Sequence, residues 1–433
     1  MSSEKRYELK RDLTALGAFA IVVGCIIGSG IFLVPRAMIE RVGTPEMVFA
    51  VWIFGGLLSL AGALSYAELS AALPEAGGEY AFLREAYGPV WSFLYGWTQM
   101  WVARSGSLAT LATGFAYYSA TFFPALDRVF YTVPLPLGPG GGPLELRWGQ
   151  PYAMVLIACL ATVNYFGVRL GGNVQIFFTA VKVGLIGFMV AAALIWGGSG
   201  PGPAPAPVAA ALTFSGFFAA LVAALWAYEG WNNVSMVASE VRQPQRSLPV
   251  ALIGGTITVI AVYLLANAAY FSVLSAGQVA GSNRVAAEMM RRVAGDWGAS
   301  AVSIAAMISI FAALNGSILA GARVPYAMAR DGLFFSRLAG VHPHWRTPAP
   351  SIAALCAWAA VLVFSGRFEQ LFTYVIFASW ILYGMTTAGV IVLRHKRPDL
   401  PRPYRTLGYP VVPVLFVLVA AVLVLATLID SPR

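Results

Sequence analysis

Charged side chains are scarce in this 433-residue sequence: they make up 11%, whereas hydrophobic residues make up 59% and the mean hydropathy is +0.73. Soluble domains carry about 25% charged residues, so the composition excludes an ordinary soluble domain. With three cysteines, all inside apolar runs, and three histidines, the sequence indicates neither a disulfide framework nor a metal cluster. No nucleotide-binding loop and no nucleophile–base pair is visible. We therefore expect no cofactor, no metal and no enzyme activity.

Long apolar runs dominate what is present. A run of about 20 residues crosses the roughly 30 Å hydrocarbon core of a bilayer. Eleven runs qualify, at residues 14–38, 46–72, 89–123, 151–168, 172–197, 211–237, 248–276, 298–329, 349–365, 369–393 and 409–429. The first run follows basic residues as a signal peptide would, but it is too long and lacks a small-residue cleavage site. The sequence predicts an all-α integral membrane protein with eleven spans.

The net charge of +9 is distributed in a way that indicates orientation rather than nucleic-acid binding. If the N-terminus is cytoplasmic, about 16 of the 28 Lys and Arg residues lie on that side, about 9 lie outside and three lie within spans. This bias is the positive-inside pattern. Three arginines are exceptions to this pattern and would lie outside, namely Arg284, Arg291 and Arg292. Their loop is predicted to form an amphipathic surface helix. The sequence predicts a multi-pass plasma membrane protein with a cytoplasmic N-terminus, surrounded by lipid and without nucleic acid.

The order of the spans is compatible with one transport domain over residues 1–433. Five spans (about 12–197) would form one repeat and five (about 211–393) an inverted second repeat, with an extra helix at about 409–429. Pro/Gly-rich connectors lie at Pro134 to Pro143 and at Gly197 to Pro207. Spans 1 and 6, which open the two repeats, are both predicted to be interrupted. Paired interruptions at matching positions are typical of transporter binding sites.

Span 1 is predicted to break at Gly28-Ser29-Gly30, because glycines lower the cost of leaving the helix. The freed N–H groups begin a second half-helix, where the dipole favours a carboxylate. The carbonyl of Ile26 ends the first half-helix and suits an ammonium group. Close packing through Gly24 and Gly28 is an equally simple reading of this segment alone.

Span 6 is predicted to break around Glu229, in the segment from Trp226 to Asn232. A carboxyl group at this depth marks a pathway, a proton site or a partner for a cationic substrate; a structural ion pair is the alternative. Trp226 is a candidate gate over the substrate, or an interior packing residue. Asn232 is expected to cap the second half-helix or to hold the unwound backbone.

Lys182 lies too far inside span 5 to reach the membrane surface easily, so we expect it to face protein or water. Carbonyls released by the span 1 break, with a hydroxyl such as that of Ser317, are its expected partners. There the ammonium would occupy a place suited to a sodium ion. Arg104 is expected to bind backbone carbonyls or to line an outer vestibule, and Glu68 to lie at the cytoplasmic surface.

Several segments resemble the amino acid–polyamine–organocation superfamily. The first-helix signature corresponds to Ile26 to Phe32, and a second motif to Tyr66 to Glu79. Within the superfamily the chain resembles the L-amino acid transporter branch, on the segments Trp226 to Asn232, Glu240 to Pro249, Met328 to Gly332 and His342-Pro343. The resemblance covers residues 10 to 425 and is of a bacterial type.

The resemblance implies a LeuT-type 5+5 fold with discontinuous helices 1 and 6 and an alternating-access carrier of amino acids. It places the substrate carboxylate on Gly28, Ser29 and Gly30, and the amine on the carbonyls of Ile26 and Trp226. It makes Trp226 the gate. It also implies that Lys182, with Ser317 near it, replaces the sodium ion of sodium-coupled relatives. Sodium independence and obligatory exchange are typical of the branch.

Two departures from the family pattern stand out. Family members usually have twelve spans, whereas this sequence stops at Arg433 after eleven: either it is truncated or the last helix is absent, and the oligomeric state stays open. Animal members join a heavy subunit through a cysteine between spans 3 and 4, and no cysteine lies there. We therefore expect no disulfide-linked heavy subunit.

The sequence thus predicts a sodium-independent exchanger of L-amino acids across the plasma membrane, in a bacterium the inner membrane. Neutral substrates are preferred, because Trp226 and its apolar neighbours offer little to a charged side chain except Glu229. A cationic or proton-coupled amino acid transporter that uses Glu229 is the alternative. A channel or a receptor is the rival from another class.

Overall fold

The computed structural model describes residues 8–134, 143–197, 213–364 and 368–430, and most of them are helical. Lys5, Arg6 and the central residues of both Pro/Gly-rich connectors (135–142 and 198–207) lie outside these ranges. The helices are α1 (Ala15–Ile26), α2 (Gly30–Val42), α3 (Pro45–Ala72), α4 (Glu79–Tyr87), α5 (Pro89–Thr98), α6 (Arg104–Ser119), α7 (Gly149–Tyr165), α8 (Val168–Trp196), α9 (Phe214–Ala227), α10 (Asn233–Met236), α11 (Pro244–Val273), α12 (Ala276–Gly281), α13 (Val285–Gly321), α14 (Arg323–Arg330), α15 (Ala349–Val363), α16 (Phe368–Lys396) and α17 (Val411–Asp430). A hairpin, β1 (Val129–Val133) antiparallel to β2 (Leu144–Arg147), follows α6.

Four helical segments of the described ranges are long and apolar enough to cross a membrane, namely α3, α8, α11 and α13 with α14. The pair α1–α2, bent by 41°, makes a fifth if it is one span. Other predicted spans correspond to shorter or interrupted apolar helices: α9, for example, has 14 residues because it stops at the predicted span 6 break. A helical, multi-pass membrane protein is confirmed, while the number of eleven spans stays a prediction.

Both predicted interruptions are present. We call residues 27–29 the first break, since α1 ends at Ile26 and α2 begins at Gly30. We call residues 228–232 the second break, between α9 and α10, where Gly230 has a φ of +114°. An added Cβ at Gly30 would lie 2.7 Å from the Cβ of Ala227, and one at Gly230 would lie 3.1 Å from the carbonyl carbon of Cys25. The two breaks therefore pack on each other and need glycine to do so.

Two further irregularities shape the bundle. Five residues of π-helix, Gln99–Ala103, join α5 to α6 and so split predicted span 3. Helix α13 contains non-helical residues at Ala294 and Gly295, so its first part, with Arg291, is a separate surface segment. This kink agrees with the amphipathic helix predicted for that loop.

The end of the bundle that carries residues 8–13, here the N-terminal end, is closed by polar contacts. Leu13 forms a parallel bridge with Val241, and Asp12 pairs with Arg242 at 3.0 Å. A hydrogen bond from Lys10 lowers the pKa of the Asp12 carboxyl below its usual value. Nearby, Glu240 and Arg323 form a bidentate ion pair of 2.6 and 2.9 Å that is buried on both sides.

The opposite end, here the hairpin end, holds β1–β2 and the first part of α13. A cavity of about 750 Å³ opens there, and its lining includes Tyr117, Gln278, Arg284, Arg292 and Ser303. Ser303 precedes Ser309 by six residues on α13, which is about 9 Å along a helix axis. The cavity therefore reaches toward the first break from this end.

Candidate functional site

The first break exposes backbone groups of both polarities in the middle of the bundle. Among the described residues, neither Gly28 nor Ser29 donates its N–H to a hydrogen bond. The first N–H groups of α2 lack intrahelical partners by construction of a helix, and they point into the same region. This leaves a set of donors at a helix N-terminus, which is the arrangement that binds a carboxylate.

The carbonyl groups of the same break are bound by side chains from distant helices. Lys182 of α8, only 1% exposed, places Nζ 2.6 Å from the Gly24 carbonyl oxygen and 2.5 Å from that of Ile27. Because the ammonium is buried, Lys182 does not reach the membrane surface. The buried ammonium thus has backbone acceptors at the first break, as a charged group inside the bundle requires.

The prediction that Ser317 lies beside Lys182 is wrong. Ser309, not Ser317, lies there: its hydroxyl donates to the carbonyls of Ile27 at 2.9 Å and Gly28 at 3.2 Å, and its own carbonyl is 3.4 Å from Lys182 Nζ. Ser317 lies two helical turns further along α13 and faces the thiol of Cys25 instead. The difference of about 12 Å along the axis removes Ser317 from the ammonium.

Tyr263 of α11 joins the two breaks. Its hydroxyl lies 3.0 Å from the Ile26 carbonyl oxygen and 2.8 Å from the Ala227 carbonyl oxygen, so it can donate to either. The Ile26 carbonyl, predicted to accept an ammonium group, therefore already has a hydroxyl neighbour. The last residues of α1 and α9, Ile26 and Ala227, thus lie within hydrogen-bonding distance of the same hydroxyl oxygen.

The second break carries acidic side chains. The Glu229 carboxylate is half-buried and accepts a hydrogen bond from the Tyr383 hydroxyl of α16. Asn232 stands at the N-cap of α10, but its side chain makes no capping hydrogen bond; its amide donates to the Glu79 carboxylate. The predicted capping role of Asn232 is therefore wrong. Trp226 is half-buried in the turn before the break.

The surroundings of Arg104 and Glu68 also differ from expectation. Arg104 binds no backbone carbonyl among the described residues; it is 6% exposed, and its Nη2 lies 3.7 Å from the Met236 sulfur. Glu68 is 2% exposed and pairs with Arg394 at 2.7 Å. Glu68 is thus an interior partner of a basic residue rather than a surface carboxylate.

Sequence reasoning missed four side chains at the breaks, namely Ser309, Tyr263, Tyr383 and Glu79. Each is a polar side chain at a position that the structure buries or half-buries. Polar residues inside apolar runs were a usable signal for Ser309, Tyr263 and Tyr383. Glu79 gave no such signal, because it lies in a polar segment between two runs.

The comparisons with known proteins agree with one another. A family model described as "Amino acid permease" matches residues 13–433. The human b(0,+)-type amino acid transporter 1 is 33% identical over 434 aligned positions, which cover 99% of this chain and 85% of the human protein. The Serine/threonine exchanger SteT of Bacillus subtilis (strain 168) is 32% identical, with 94% of this chain and 89% of that protein covered. The human Cystine/glutamate transporter is 29% identical, with 99% and 82% covered.

Proposed function

The chain belongs to the amino acid permease family, in the L-amino acid transporter branch of the amino acid–polyamine–organocation superfamily, and from that premise we propose that it is a sodium-independent exchanger of neutral L-amino acids. It is an amino acid transporter and not an enzyme. The proposal adds substrate class, exchange and ion independence. The name of the Bacillus subtilis relative supports both exchange and neutral substrates.

The architecture proposed for this activity is a LeuT-type pair of inverted five-span repeats, residues about 12–197 and 211–393, followed by an extra helix at 409–429. The observation that supports it is the reciprocal contact between the breaks, Gly30 on Ala227 and Gly230 on Cys25. Interrupted helices that meet at the midplane are typical of inverted-repeat transporters.

The single observation that carries the proposed site is the free N–H groups of Gly28 and Ser29 beside carbonyls that are already bound. The substrate carboxylate binds the N–H groups of Gly28, Ser29 and Gly30. Its ammonium group binds the carbonyls of Ile26 and Trp226, and Trp226 closes over the side chain. These groups read what all amino acids share, so this part of the site does not select the side chain.

Lys182 supports sodium independence. Its ammonium donates to the carbonyls of Gly24 and Ile27, which would otherwise be acceptors available to a sodium ion. A fixed cation at that place leaves no charge for a mobile one to supply. Ser309 takes the accessory role that the sequence had assigned to Ser317.

Glu229 decides between neutral and cationic substrates. Its carboxylate is engaged by Tyr383, which favours a neutral substrate side chain. A cationic substrate would have to displace that hydroxyl contact and pair with the carboxylate directly.

We propose that the N-terminal end is cytoplasmic, as the positive-inside pattern indicates, and that the membrane is a plasma membrane. The closed N-terminal end and the cavity at the hairpin end support an arrangement that is open toward the outside. Residues 124–150 contain no cysteine, so we propose that no heavy subunit is attached there by a disulfide.

Proteoliposomes test the function directly. Uptake of radiolabelled L-alanine should accelerate when the lumen contains unlabelled L-alanine, and should be unchanged when external sodium is replaced by choline. Uptake that is indifferent to internal amino acid would contradict exchange, and a requirement for sodium would contradict the role of Lys182. Inhibition by arginine and lysine, but not by leucine or serine, would instead establish a cationic substrate at Glu229.

A further inference from the structure

The carboxyl group of Glu79 is buried at the contact between α4 and the second break, and the proposed transport steps make no use of it. Gly77 and Gly78 precede it with φ of +93° and +53°, and an added Cβ at Gly78 would overlap the Ser235 hydroxyl oxygen. The Gly77 N–H donates to the Met236 carbonyl at 2.9 Å. This turn presses the first residue of α4 against α10, and Glu79 is 0% exposed.

The hydrogen bonds of Glu79 are incomplete. One carboxyl oxygen, Oε1, accepts from the Asn232 amide, whereas Oε2 has no partner among the described residues. The hydroxyl groups of Tyr66 on α3 and Tyr95 on α5 interact electrostatically with the carboxyl and are themselves buried without a hydrogen-bond partner there. A buried carboxylate normally satisfies both oxygens: an ionised Glu79 needs a tyrosine hydroxyl to donate to Oε2, whereas a protonated Glu79 donates from Oε2 to the same hydroxyl.

The charged neighbours of Glu79 favour its protonated form. The groups that face Glu79 from the surrounding elements are Arg104 on α6, Glu229 in the second break and Tyr383 on α16, besides the two tyrosines and Asn232. Two carboxyl groups thus share one guanidinium, and no ion pair joins any of the three among the described contacts. Arg104 Nε has no partner either. A proton on one carboxyl group leaves the cluster neutral, which a buried cluster requires to avoid a large desolvation cost.

Glu79 is better placed than Glu229 to hold that proton. Glu229 already accepts a hydrogen bond from Tyr383, whereas the free Oε2 of Glu79 faces neutral hydroxyl groups to which a protonated oxygen can donate. Helix α4 lies between predicted spans 2 and 3. Burial raises the pKa of the Glu79 carboxyl to about 7, against the opposing hydrogen bond from Asn232.

We propose that Glu79 is a proton-binding positioning residue, which holds Asn232 and the second break in a substrate-competent geometry while protonated and is drawn toward Arg104 when it ionises. This inference rests on the proposed function, because it regulates the same site. The proton leaves to water, and no other group changes its covalent state. Loss of the proton converts a neutral contact with Asn232 into a charge that Arg104 attracts, and Arg104 packs on Met236 of α10.

The first experiment compares the KM for L-alanine exchange in wild type and Glu79→Gln between about pH 5.5 and about pH 8.5, about 1.5 units either side of that pKa. If only the protonated form is competent, the wild-type KM rises about tenfold one pH unit above the pKa, because apparent affinity falls with the competent fraction. Glu79→Gln mimics the protonated form, so its KM should change less than about twofold. Glu85→Gln, half-buried on the same helix and paired with Arg84, is the matched control and should keep the wild-type profile.

An unchanged pH profile in Glu79→Gln overturns the proposal, and the same flattening in Glu229→Gln alone moves the proton to Glu229. A merely structural Glu79 would lower the rate at every pH without flattening the profile. If Glu79→Gln does not fold, Tyr66→Phe and Tyr95→Phe replace it. Each removes a hydroxyl that stabilises the ionised form, so the inflection should move to higher pH; two unmoved inflections contradict the proposal.

A second measurement does not depend on exchange. Infrared spectroscopy of purified protein should show a carboxylic acid band that disappears as pH rises through about 7 and is missing in Glu79→Gln. A wild-type spectrum without any such titrating band overturns proton binding. Absence of exchange at every pH, with the band present, contradicts the proposed function and leaves the proton site standing.

Discussion

The two helix breaks are stabilised in opposite ways. At the first break, donors come from other helices to backbone carbonyls: the Lys182 ammonium and the hydroxyls of Ser309 and Tyr263. At the second break, the side chains of the break itself contact other helices: Glu229 accepts a hydrogen bond from Tyr383 of α16, and Asn232 donates one to Glu79 of α4. The first break thus offers backbone groups beside a fixed positive charge, the Lys182 ammonium. The second break is held by carboxyl groups, which can gain or lose a proton. The first break is suited to bind the carboxylate and ammonium groups that all amino acids share. The second break is suited to select the substrate side chain and to regulate transport.

Lys182→Ala should produce the largest effect. It leaves the Gly24 carbonyl buried without its side-chain donor, at about 1–3 kcal/mol for an unsatisfied group, and leaves the Ile27 carbonyl with the Ser309 hydroxyl alone. We expect the initial rate of exchange to fall at least about 100-fold. The control is Lys396→Ala, a lysine that donates to the Glu85 carbonyl at an exposed position. Near-normal exchange in Lys182→Ala would show that the first break does not need a fixed charge, and sodium-dependent rescue would show that sodium can replace it.

Gly30→Ala should come next, because it drives the breaks apart. The new methyl group would meet Ala227 at 2.7 Å, a separation that requires the backbone to move. Overpacking of this kind costs about 1–3 kcal/mol, so exchange should fall about 10- to 100-fold with a lower melting temperature. Gly184→Ala on α8 is the control, since nothing lies within 4 Å of its added Cβ. Equal behaviour of the two variants would mean that the contact between the breaks is dispensable.

Ser309→Ala and Ser317→Ala test the register of α13 against α1. Loss of the Ser309 hydroxyl removes a donor to the carbonyls of Ile27 and Gly28, worth about 0.5–1.5 kcal/mol, and should slow exchange about three- to tenfold. Ser317→Ala should stay within about twofold of wild type, because that hydroxyl lies at Cys25. The KM and rate of each variant decide the matter; a larger effect at Ser317 would restore the sequence-based assignment.

Glu229→Gln should have the smallest effect on neutral substrates. The amide oxygen can still accept the Tyr383 hydrogen bond, so the geometry of the second break is kept. Exchange of L-alanine at neutral pH should stay within about threefold. Tyr383→Phe, which removes the donor, is the paired variant. A loss of more than about 30-fold in Glu229→Gln would mean that the charge itself acts on the substrate.

The sequence was sufficient for the interruptions but not for their partners. Gly28, Gly30 and Gly230 reveal where helix geometry is given up, because that property is local to the backbone. Which side chain meets the freed carbonyls depends on how far α13 is displaced along α1, and eight residues separate the correct serine from the one predicted. Ser309 and Ser317 look alike in the sequence because both are small polar residues in an apolar helix. Only packing distinguishes them.

Depth in the bundle was equally hard to predict for Glu79. Its segment is polar and lies between two apolar runs, so nothing in the sequence placed it inside the bundle. The turn at Gly77 and Gly78 directs the chain back into the bundle, and this direction depends on contacts with Ser235 and Met236 made far away in sequence. Lys182 was easier, because a lysine in the middle of a long apolar span must find acceptors nearby.

Leu13 pairs with Val241, which the ribosome adds long after it has made the N-terminal tail. The tail consequently has no place to dock while the first half of the chain is being inserted, and it settles only when α9 and α10 have followed. Asp12 and Arg242 then fasten the same junction. The contacts that close the N-terminal end can therefore form only after the second break has been synthesised.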